Sequence, residues 1–331
     1  MDIRIAFAGL AHNHGRSFLR GMIAVEGVSV VAIYDDFDKE KAAAFGEEFA
    51  CQVYDDFDEM LEKSGANVLL TADVNAKRPE KIVRAIYAGL DVITDKPMAT
   101  TREDLDLIEA ALKDCPDRRL FLMLTERYTA LTWTAKQLIE QGYIGKVSSM
   151  IFQRPHRLGA PARGAWMFNS RLYGGILNDI GIHDIDLARY FAGCEVQDVM
   201  GAFTANRANP RYTDFEDCGQ ALLRMADGSS AYLQENWLTP DAFPAHGEVK
   251  FIVTGTEGQI EMDVATNTVT AYNNKKKPHK VKLAEPPVSC GMDALLTISD
   301  RSHKPLCTEM DAVLATRAAL AVQEVAWGYE E

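Results

Sequence analysis

The first 124 residues alternate short apolar runs with helical segments, and this alternation restricts the fold more than any other feature of the chain. The runs are IRIAFAGL at 3 to 10, VSVVAIY at 28 to 34, and shorter ones near Cys51 to Val53, 67 to 71, 91 to 94 and 119 to 124. Helical patterns fill the gaps: one starting in AHNHGRSFLRGM, then DKEKAAAFGEEF, then 56 to 63, 79 to 88 and 101 to 113. Short buried strands separated by helices pair in parallel, through right-handed crossovers. The prediction is an α/β fold whose N-terminal part is a doubly wound parallel sheet.

Beyond a helix at 129 to 141, ended by Gly142, the pattern changes. Strand-like runs at 146 to 153, 195 to 205, 217 to 225, 230 to 237, 248 to 255, 258 to 263 and 267 to 272 follow, with hairpin turns at Asp227-Gly228 and Glu257-Gly258. Consecutive strands without intervening helices predict a C-terminal α+β domain with a large, mostly antiparallel open sheet. Its outer face has to be hidden, which predicts a homo-oligomer, a dimer or tetramer, joined through that face. A chain of 331 residues exceeds one ordinary core. The expected division is 1–125, then 126–307, then a C-terminal helix in 308–331 that packs back on the first domain.

The formal charge is -13, from 35 Lys and Arg against 48 Asp and Glu. That acidity argues against nucleic acid or an anionic membrane as partner. No apolar run is long enough to span a bilayer, and the first residues lack the basic start and long apolar segment of a secretory signal. The six cysteines (51, 115, 194, 218, 290, 307) form no C-x-x-C pair. They read as reduced core residues of a cytoplasmic protein, and no metal site is expected.

In a doubly wound sheet the loop after the first strand holds the pyrophosphate of a dinucleotide. Here it runs Gly9, Leu10, Ala11, His12, Asn13, His14, Gly15. The fingerprint G-x-G-x-x-G is met only at Gly9, although Gly15 follows the third position. His12, Asn13 and His14 are candidates to contact phosphate oxygens in place of the missing glycine backbone. Asp35, with Asp36 beside it, ends the second strand about 20 residues past the loop, where a carboxylate takes both ribose hydroxyls of an adenosine. It would repel a 2'-phosphate, so NAD is favoured over NADP. The fifth strand runs into Asp95-Lys96-Pro97. Proline keeps Lys96 out of helical geometry, Thr100 with Glu103 reads as a capping box, and Lys96 is thereby fixed on the ligand side of the sheet.

The stretch Gly174 to Phe191, GGILNDIGIHDIDLARYF, carries the other half of the chemistry. Wound as one helix, Asp179, His183, Asp186 and Tyr190 line one face, and the other faces are apolar. A helix apolar over most of its circumference is buried, so the polar row is expected to face an internal cavity. Carboxylate and imidazole one turn apart suit proton transfer. Upstream, RPHRLGAPARGAWMFNSRLY reads as a loop over the site, with His156 and Trp166 as aromatic contacts. Arg154, Arg157, Arg163 and Arg171, with Arg127, suggest an acidic sugar such as a uronate.

Together these residues resemble the glucose-fructose oxidoreductase and inositol dehydrogenase family (Gfo/Idh/MocA). The carriers are Asp35, AGLDVITDKPMA at 88 to 99, ERY at 126 to 128 and GGILNDIGIHDIDLARYFAG at 174 to 193. The family's Glu-Lys-Pro stands here as Asp95-Lys96-Pro97, and its helix motif falls on Asp179, Gly181, His183 and Asp186. The resemblance implies a Rossmann domain over 1–125, a substrate-binding and oligomerisation domain over 126–307, an NAD(P) cofactor, and oxidation of a sugar or cyclitol hydroxyl. Where the family has Thr-Pro and a later histidine after the fourth strand, this chain has Asp73-Val74 and Arg78, so the cofactor grip there, with Ala72, Asp73 and Asn75 as candidates, departs from the pattern. The implied reaction is hydride transfer from a carbinol carbon. His183 takes the hydroxyl proton, Lys96 stabilises the alkoxide, and Asp179 orients substrate or imidazole, so activity is expected to rise with pH through the histidine's titration. Two rivals remain: a redox-elimination enzyme of glycosidase or lyase type, and an NAD-binding regulator without turnover.

Overall fold

The computed structural model describes residues 1–328. They form two compact units. The first comprises Met1–Leu124 with Arg171–Gly174 and Val288–Val313; the second comprises Thr125–Ser170, Gly175–Pro287 and the chain from Leu314 onward.

In the first unit, β1 (Ile3–Ala8), α1 (Asn13–Met22), β2 (Val28–Tyr34), α2 (Lys39–Phe49), β3 (Gln52–Tyr54), α3 (Phe57–Lys63), β4 (Val68–Thr71), α4 (Arg78–Tyr87), β5 (Asp91–Thr94), α5 (Arg102–Asp114) and β6 (Leu120–Leu122) alternate as the apolar runs predict. The sheet order is β3-β2-β1-β4-β5-β6 with parallel pairing throughout. Strand order reverses between β1 and β4, and ligands of such sheets bind outside the carboxyl ends of the strands at that switch. The strands are short and almost wholly apolar because helices cover both faces; β4 and β5 are buried at every residue. Helix α5 starts one residue later than the expected box. Thr101, not Thr100, is its N-cap, accepting from Asp104 N–H at 3.1 Å.

The second unit begins with α6 (Ala130–Glu140) and β7 (Val147–Pro155); the single turn α7 (Ser170–Tyr173) falls in the first unit except for Ser170, and the turn α8 (Ile176–Asp179) and the helix α9 (Gly181–Ala192) belong again to the second. Tyr173 itself belongs to the first unit, where its carbonyl accepts from Asn75 Nδ2 at 2.8 Å. Strands β8 (Val196–Ala205), β9 (Cys218–Met225), β10 (Ser230–Asn236), β11 (Lys250–Gly255), β12 (Gly258–Asp263), β13 (Thr268–Asn273) and β14 (Lys276–Val281) complete an eight-stranded sheet, ordered β14-β13-β12-β11-β7-β10-β9-β8. Only β7 and β10 pair in parallel. Strict in-out alternation in β9 and β10 marks one covered face and one open one, and α9 lies on the covered face against β7 and β10. Edge strand β14, KKPHKV, carries no apolar alternation and is missed by sequence. Its lysines are the kind of charge that keeps an edge from pairing with another chain.

Two further helices follow. The sequence pattern gave no sign of α10 (Cys290–Ser299), which Ser289 caps and which packs beside α1 in the first unit. Residues 288–307, expected with the second domain, thus sit with the dinucleotide-type sheet. Helix α11 (Glu309–Trp327) is divided. Glu309 accepts from Leu120 N–H at 3.2 Å in the first unit, while the helix from Leu314 onward belongs to the second. Residues 329–331 of the expected tail lie outside the described residues. Among the described residues no helix is long and apolar enough to cross a membrane.

The expected single helix over Gly174 to Phe191 is in fact two pieces. Gly175, at φ 85°, enters α8, and the chain resets at Ile180 before α9. The first amides of α8 need partners from elsewhere. Gln323 of α11 supplies them, its Oε1 accepting from Leu177 N–H at 2.8 Å and Asn178 N–H at 3.3 Å, while Glu216 accepts from Ile176 N–H at 3.2 Å. A Cβ on Gly175 would lie 2.1 Å from Gln323 Cδ. Gly175→Ala combines a positive φ with the displacement of this buried amide, and should cost at least about 1–3 kcal/mol. Chemical denaturation of the full chain measures it, and an unchanged midpoint would contradict the cap.

Candidate active site

At the carboxyl end of β1, Gly9 has φ 80°, and a Cβ there would fall 2.2 Å from Asp73 Cβ. Gly15, one position after the expected third glycine, does that glycine's job: a Cβ would meet Ala72 Cβ and Phe7 Cζ at 2.6 Å, so only glycine lets α1 pack this closely on the sheet. Two of the three glycine functions of a dinucleotide loop are therefore present, and Ala11 stands at the missing one. Ala72 holds the loop from below, its carbonyl accepting from His12 N–H at 2.9 Å.

Asp35 is buried and already used. Its Oδ2 accepts from Leu10 N–H at 2.5 Å and its Oδ1 from the N–H groups of Phe37 at 2.8 Å and Asp38 at 2.6 Å. A carboxylate offers about four lone-pair sites, so roughly one remains for a ribose hydroxyl. Asp36, 34% exposed at its side chain, is the more accessible neighbour, and Lys81 Nζ lies 3.4 Å from it. Lys81 also pairs with buried Asp73 at 2.6 Å. Burial nevertheless pushes the Asp73 carboxyl up, against the pull of Lys81.

Asp95 is the hub of this end. Its Oδ1 accepts from Lys96 N–H at 2.8 Å, and its two oxygens lie 3.2 Å from His12 Nδ1 and 3.3 Å from His14 Nδ1. Burial raises its carboxyl, but His14 and His12 outweigh that and hold it well below the usual carboxylate range. Arg78, fully buried, stands where the resemblance led one to seek a histidine. Its guanidinium donates from Nε to the Asp73 carbonyl at 2.9 Å and from Nη1 to the carbonyls of Lys96 at 2.5 Å and Pro97 at 2.9 Å, with Nη2 3.7 Å from Asp95. Lys96, itself buried, is thus fixed on both sides of its own peptide unit.

In the second unit Asp179 and His183 are both buried, Asp179 at the end of α8 and His183 in the first turn of α9. The rest of the predicted polar row does not open on a cavity. Asp186 takes Arg127 in a two-pronged pair at 2.8 and 2.6 Å, and the same guanidinium lies 4.8 Å from the Tyr190 ring centre. Asp184, which the row omits, accepts from Arg154 at 3.0 and 2.5 Å. Removing one partner of such a buried pair typically costs about 3–5 kcal/mol, so neither arginine is available to a ligand. Arg127 and Arg154 are therefore reassigned from substrate contacts to anchors of α9. The signal was present in the sequence: Arg154 follows Met150 and Phe152 on the inward side of β7's alternation.

The loop after β7 is also more committed than predicted. His156 has its Nδ1 2.9 Å from the Pro155 carbonyl and its ring 4.7 Å from that of His246. Arg163 donates to the Leu158 carbonyl at 2.9 Å and lies over Trp237, and Arg157 donates to the carbonyl of Ala245 at 3.1 Å. Arg127, Arg154, Arg157 and Arg163 thus each have partners within the chain, which weakens the argument from them for an acidic sugar. Trp166, half-buried in a turn at Ala165–Phe168, keeps its place only because Gly164 has no side chain: a Cβ there would lie 2.6 Å from the indole Nε1.

Comparison with known proteins agrees with both units. Residues 3–118 match the model of an oxidoreductase family described as an NAD-binding Rossmann fold, and residues 132–261 match the GFO/IDH/MocA C-terminal domain. A 2,7-anhydro-N-acetylneuraminate hydratase from Mediterraneibacter gnavus is 24% identical over 76% of this chain and 64% of its own length. The scyllo-inositol 2-dehydrogenase (NAD(+)) of Bacillus subtilis is 26% identical over 78% of this chain and 73% of its own. A solved structure from Erwinia carotovora atroseptica is 29% identical, covers 98% of both chains and superposes with a TM-score of 0.89. The match spans 64% and 60% of the lengths of the first two curated relatives.

Burial lowers the His12 imidazole from its ordinary 6.5, against the upward pull of Asp95. The folded chain therefore prefers this ring neutral, while the unfolded chain protonates it near 6.5. Stability should be fully present above that value and decline as pH falls from it toward the lower folded value. His12→Asn keeps a good N-cap without a titrating group. Melting temperatures recorded from about pH 8 down to about pH 5 should fall less for the variant than for the wild type; parallel curves would refute the assignment.

Proposed function

The chain belongs to the Gfo/Idh/MocA oxidoreductases, and on that premise we propose that it is an NAD-dependent dehydrogenase acting on a hydroxyl of a sugar or cyclitol. The observation that carries the reading is the buried Lys96, fixed at the ligand end of β5 between Asp95 and the Arg78 clamp. The ring of Gly9 and Gly15 around the first loop fits a dinucleotide, because both positions are kept free of side-chain bulk. An NAD whose pyrophosphate is held by that loop would supply the hydride acceptor.

This chain's own residues supply the rest. As the carbon–hydrogen bond of the carbinol breaks, the hydroxyl proton passes to His183, and the Lys96 ammonium stabilises the oxygen's developing charge. Asp179 orients the imidazole or a neighbouring hydroxyl. The products are a ketone, NADH and a proton first held on His183. Asp35 takes a ribose hydroxyl with its remaining lone pair, and Asp36 and Lys81 line the approach. His156 and Trp166 are retained as neighbours of the substrate and not as its anchors.

A second reading has one observation in its favour: a relative is a hydratase, and an enzyme of that kind can oxidise transiently, eliminate and then return the hydride. NADH then does not accumulate, so an absorbance trace separates the two. A regulator that binds NAD without turnover would have no use for a clamped lysine and a buried histidine together.

With a panel of polyols, cyclitols and sugars, and NAD beside NADP, His183→Ala should lower kcat by roughly 10²–10⁴-fold. Lys96→Met should lower it by roughly 10²–10³-fold while NADH binding persists. Wild-type turnover in His183→Ala would remove the base from the scheme.

The open sheet face supports the proposal of a homo-oligomer. Leu222, Tyr232 and Ile151 adjoin across β9, β10 and β7 on that face, with Leu222 45% and Ile151 38% exposed. Leu222→Glu should shift the chain to a smaller species in sedimentation, and identical profiles at matched concentration would count against this face.

A further inference from the structure

We propose that His12, His14 and Asp95 form a binding site for a divalent transition-metal ion of the zinc class, at the carboxyl ends of β1 and β5. Sequence reasoning passed over it by seeking zinc among the cysteines. The signal it had was a His-x-His pair entering a helix and an aspartate at a neighbouring strand end.

One ligating atom from each of the three side chains lies within 4.8 Å of the others. The two nitrogen-to-oxygen separations are 3.2 and 3.3 Å. Two ligands about 2.0–2.1 Å from a tetrahedral zinc ion lie roughly 3.3–3.4 Å apart, so each imidazole nitrogen stands from its own carboxylate oxygen at a spacing that a zinc ion or a hydrogen bond would accept.

His12 Nδ1 is 3.3 Å from the N–H of His14, which it caps, and 3.2 Å from Asp95 Oδ2. One nitrogen cannot accept from the first and donate to the second at once. With the proton on Nε2, the single Nδ1 lone pair serves either the 3.3 Å cap or a cation held beside the Asp95 carboxylate, so metal binding gives up the cap contact. His14 Nδ1 faces the other oxygen of the same carboxylate.

Imidazole with carboxylate suits zinc and its late first-row neighbours, not magnesium or calcium. Three protein ligands with one position open is the pattern of reactive zinc sites, not of structural ones. Arg78 gives its Nε and Nη1 to the carbonyls of Asp73, Lys96 and Pro97, while its Nη2, 3.7 Å from Asp95, is the positive charge that a bound cation has to overcome. Two neutral imidazoles and one carboxylate leave a bound dication with a single net positive charge, so the open position favours an anionic oxygen. Cys290, buried in α10, is not among the side chains whose ligating atoms lie within 4.8 Å of one another.

The test uses the full chain, stripped with a chelator and titrated with Zn²⁺ by calorimetry and with Co²⁺ by visible absorption. One ion per chain is expected. His14→Gln, at an exposed position, and His12→Asn, which keeps the helix cap, should each weaken binding at least roughly tenfold. His303→Gln, in the separate pair of His303 with Asp293, should leave it unchanged. No uptake by the folded wild type, uptake unaltered in both loop variants, or uptake lost in His303→Gln would overturn the assignment.

Discussion

One buried carboxylate organises the ligand end of the dinucleotide unit. Asp95 holds the amide of Lys96, faces both loop histidines and lies beside the Arg78 guanidinium. An ionised aspartate with no exposure is tolerable only when such partners replace water. The consequence is a lysine whose backbone cannot drift, because Asp95 fixes its amide and Arg78 fixes its carbonyl. The family's glutamate carries one more methylene than Asp95. Both loop histidines lie against the shorter side chain, so two departures of the sequence, the altered glycine loop and the Asp-Lys-Pro, meet at one carboxylate.

The second unit uses the same physics for rigidity. Helix α9 carries Asp184 and Asp186 into its buried side, and each is met by an arginine from elsewhere in the unit, Arg154 of β7 and Arg127 before α6. These pairs add little net stability, since desolvation consumes most of the Coulomb gain, but they permit only one seating of the helix. Asp184 shares its site with Glu235, and burial pushes its carboxyl up. The charged ERY and helix motifs are thus two halves of a scaffold, and the proposed chemistry falls to Asp179 at the end of α8 and His183 in the first turn of α9.

The fold was legible because it rests on periodicity. Short apolar runs announced every strand of the first unit, and alternation announced all of the second sheet except β14, whose lysines make an edge and so need no buried face. Helix α10 escaped because its residues follow a proline-rich turn and its face is apolar without a clear period. The site was legible by residue type but not by allegiance. The alternation of β7 turned Arg154 inward, but nothing in it named the carboxylate that meets the guanidinium, and Arg127 carried no such sign. The break at Ile180 was hidden for a similar reason: a helical period continues through it, and Ile180 itself keeps helical dihedrals, so no residue type marks the boundary. Asp35 shows the converse, a correctly placed residue whose lone pairs are mostly taken by backbone amides.

Hydride transfer to a nicotinamide is the claim on which the function depends, and isotopic labelling tests it most directly. Polyols, cyclitols and sugars carrying deuterium on the carbinol carbon are incubated with the full chain and NAD, and the cofactor is examined by mass spectrometry. Deuterium should appear in the dinucleotide with at least one substrate, whether the label is then retained or returned. Conversion of a substrate with no label ever reaching the cofactor would contradict the account.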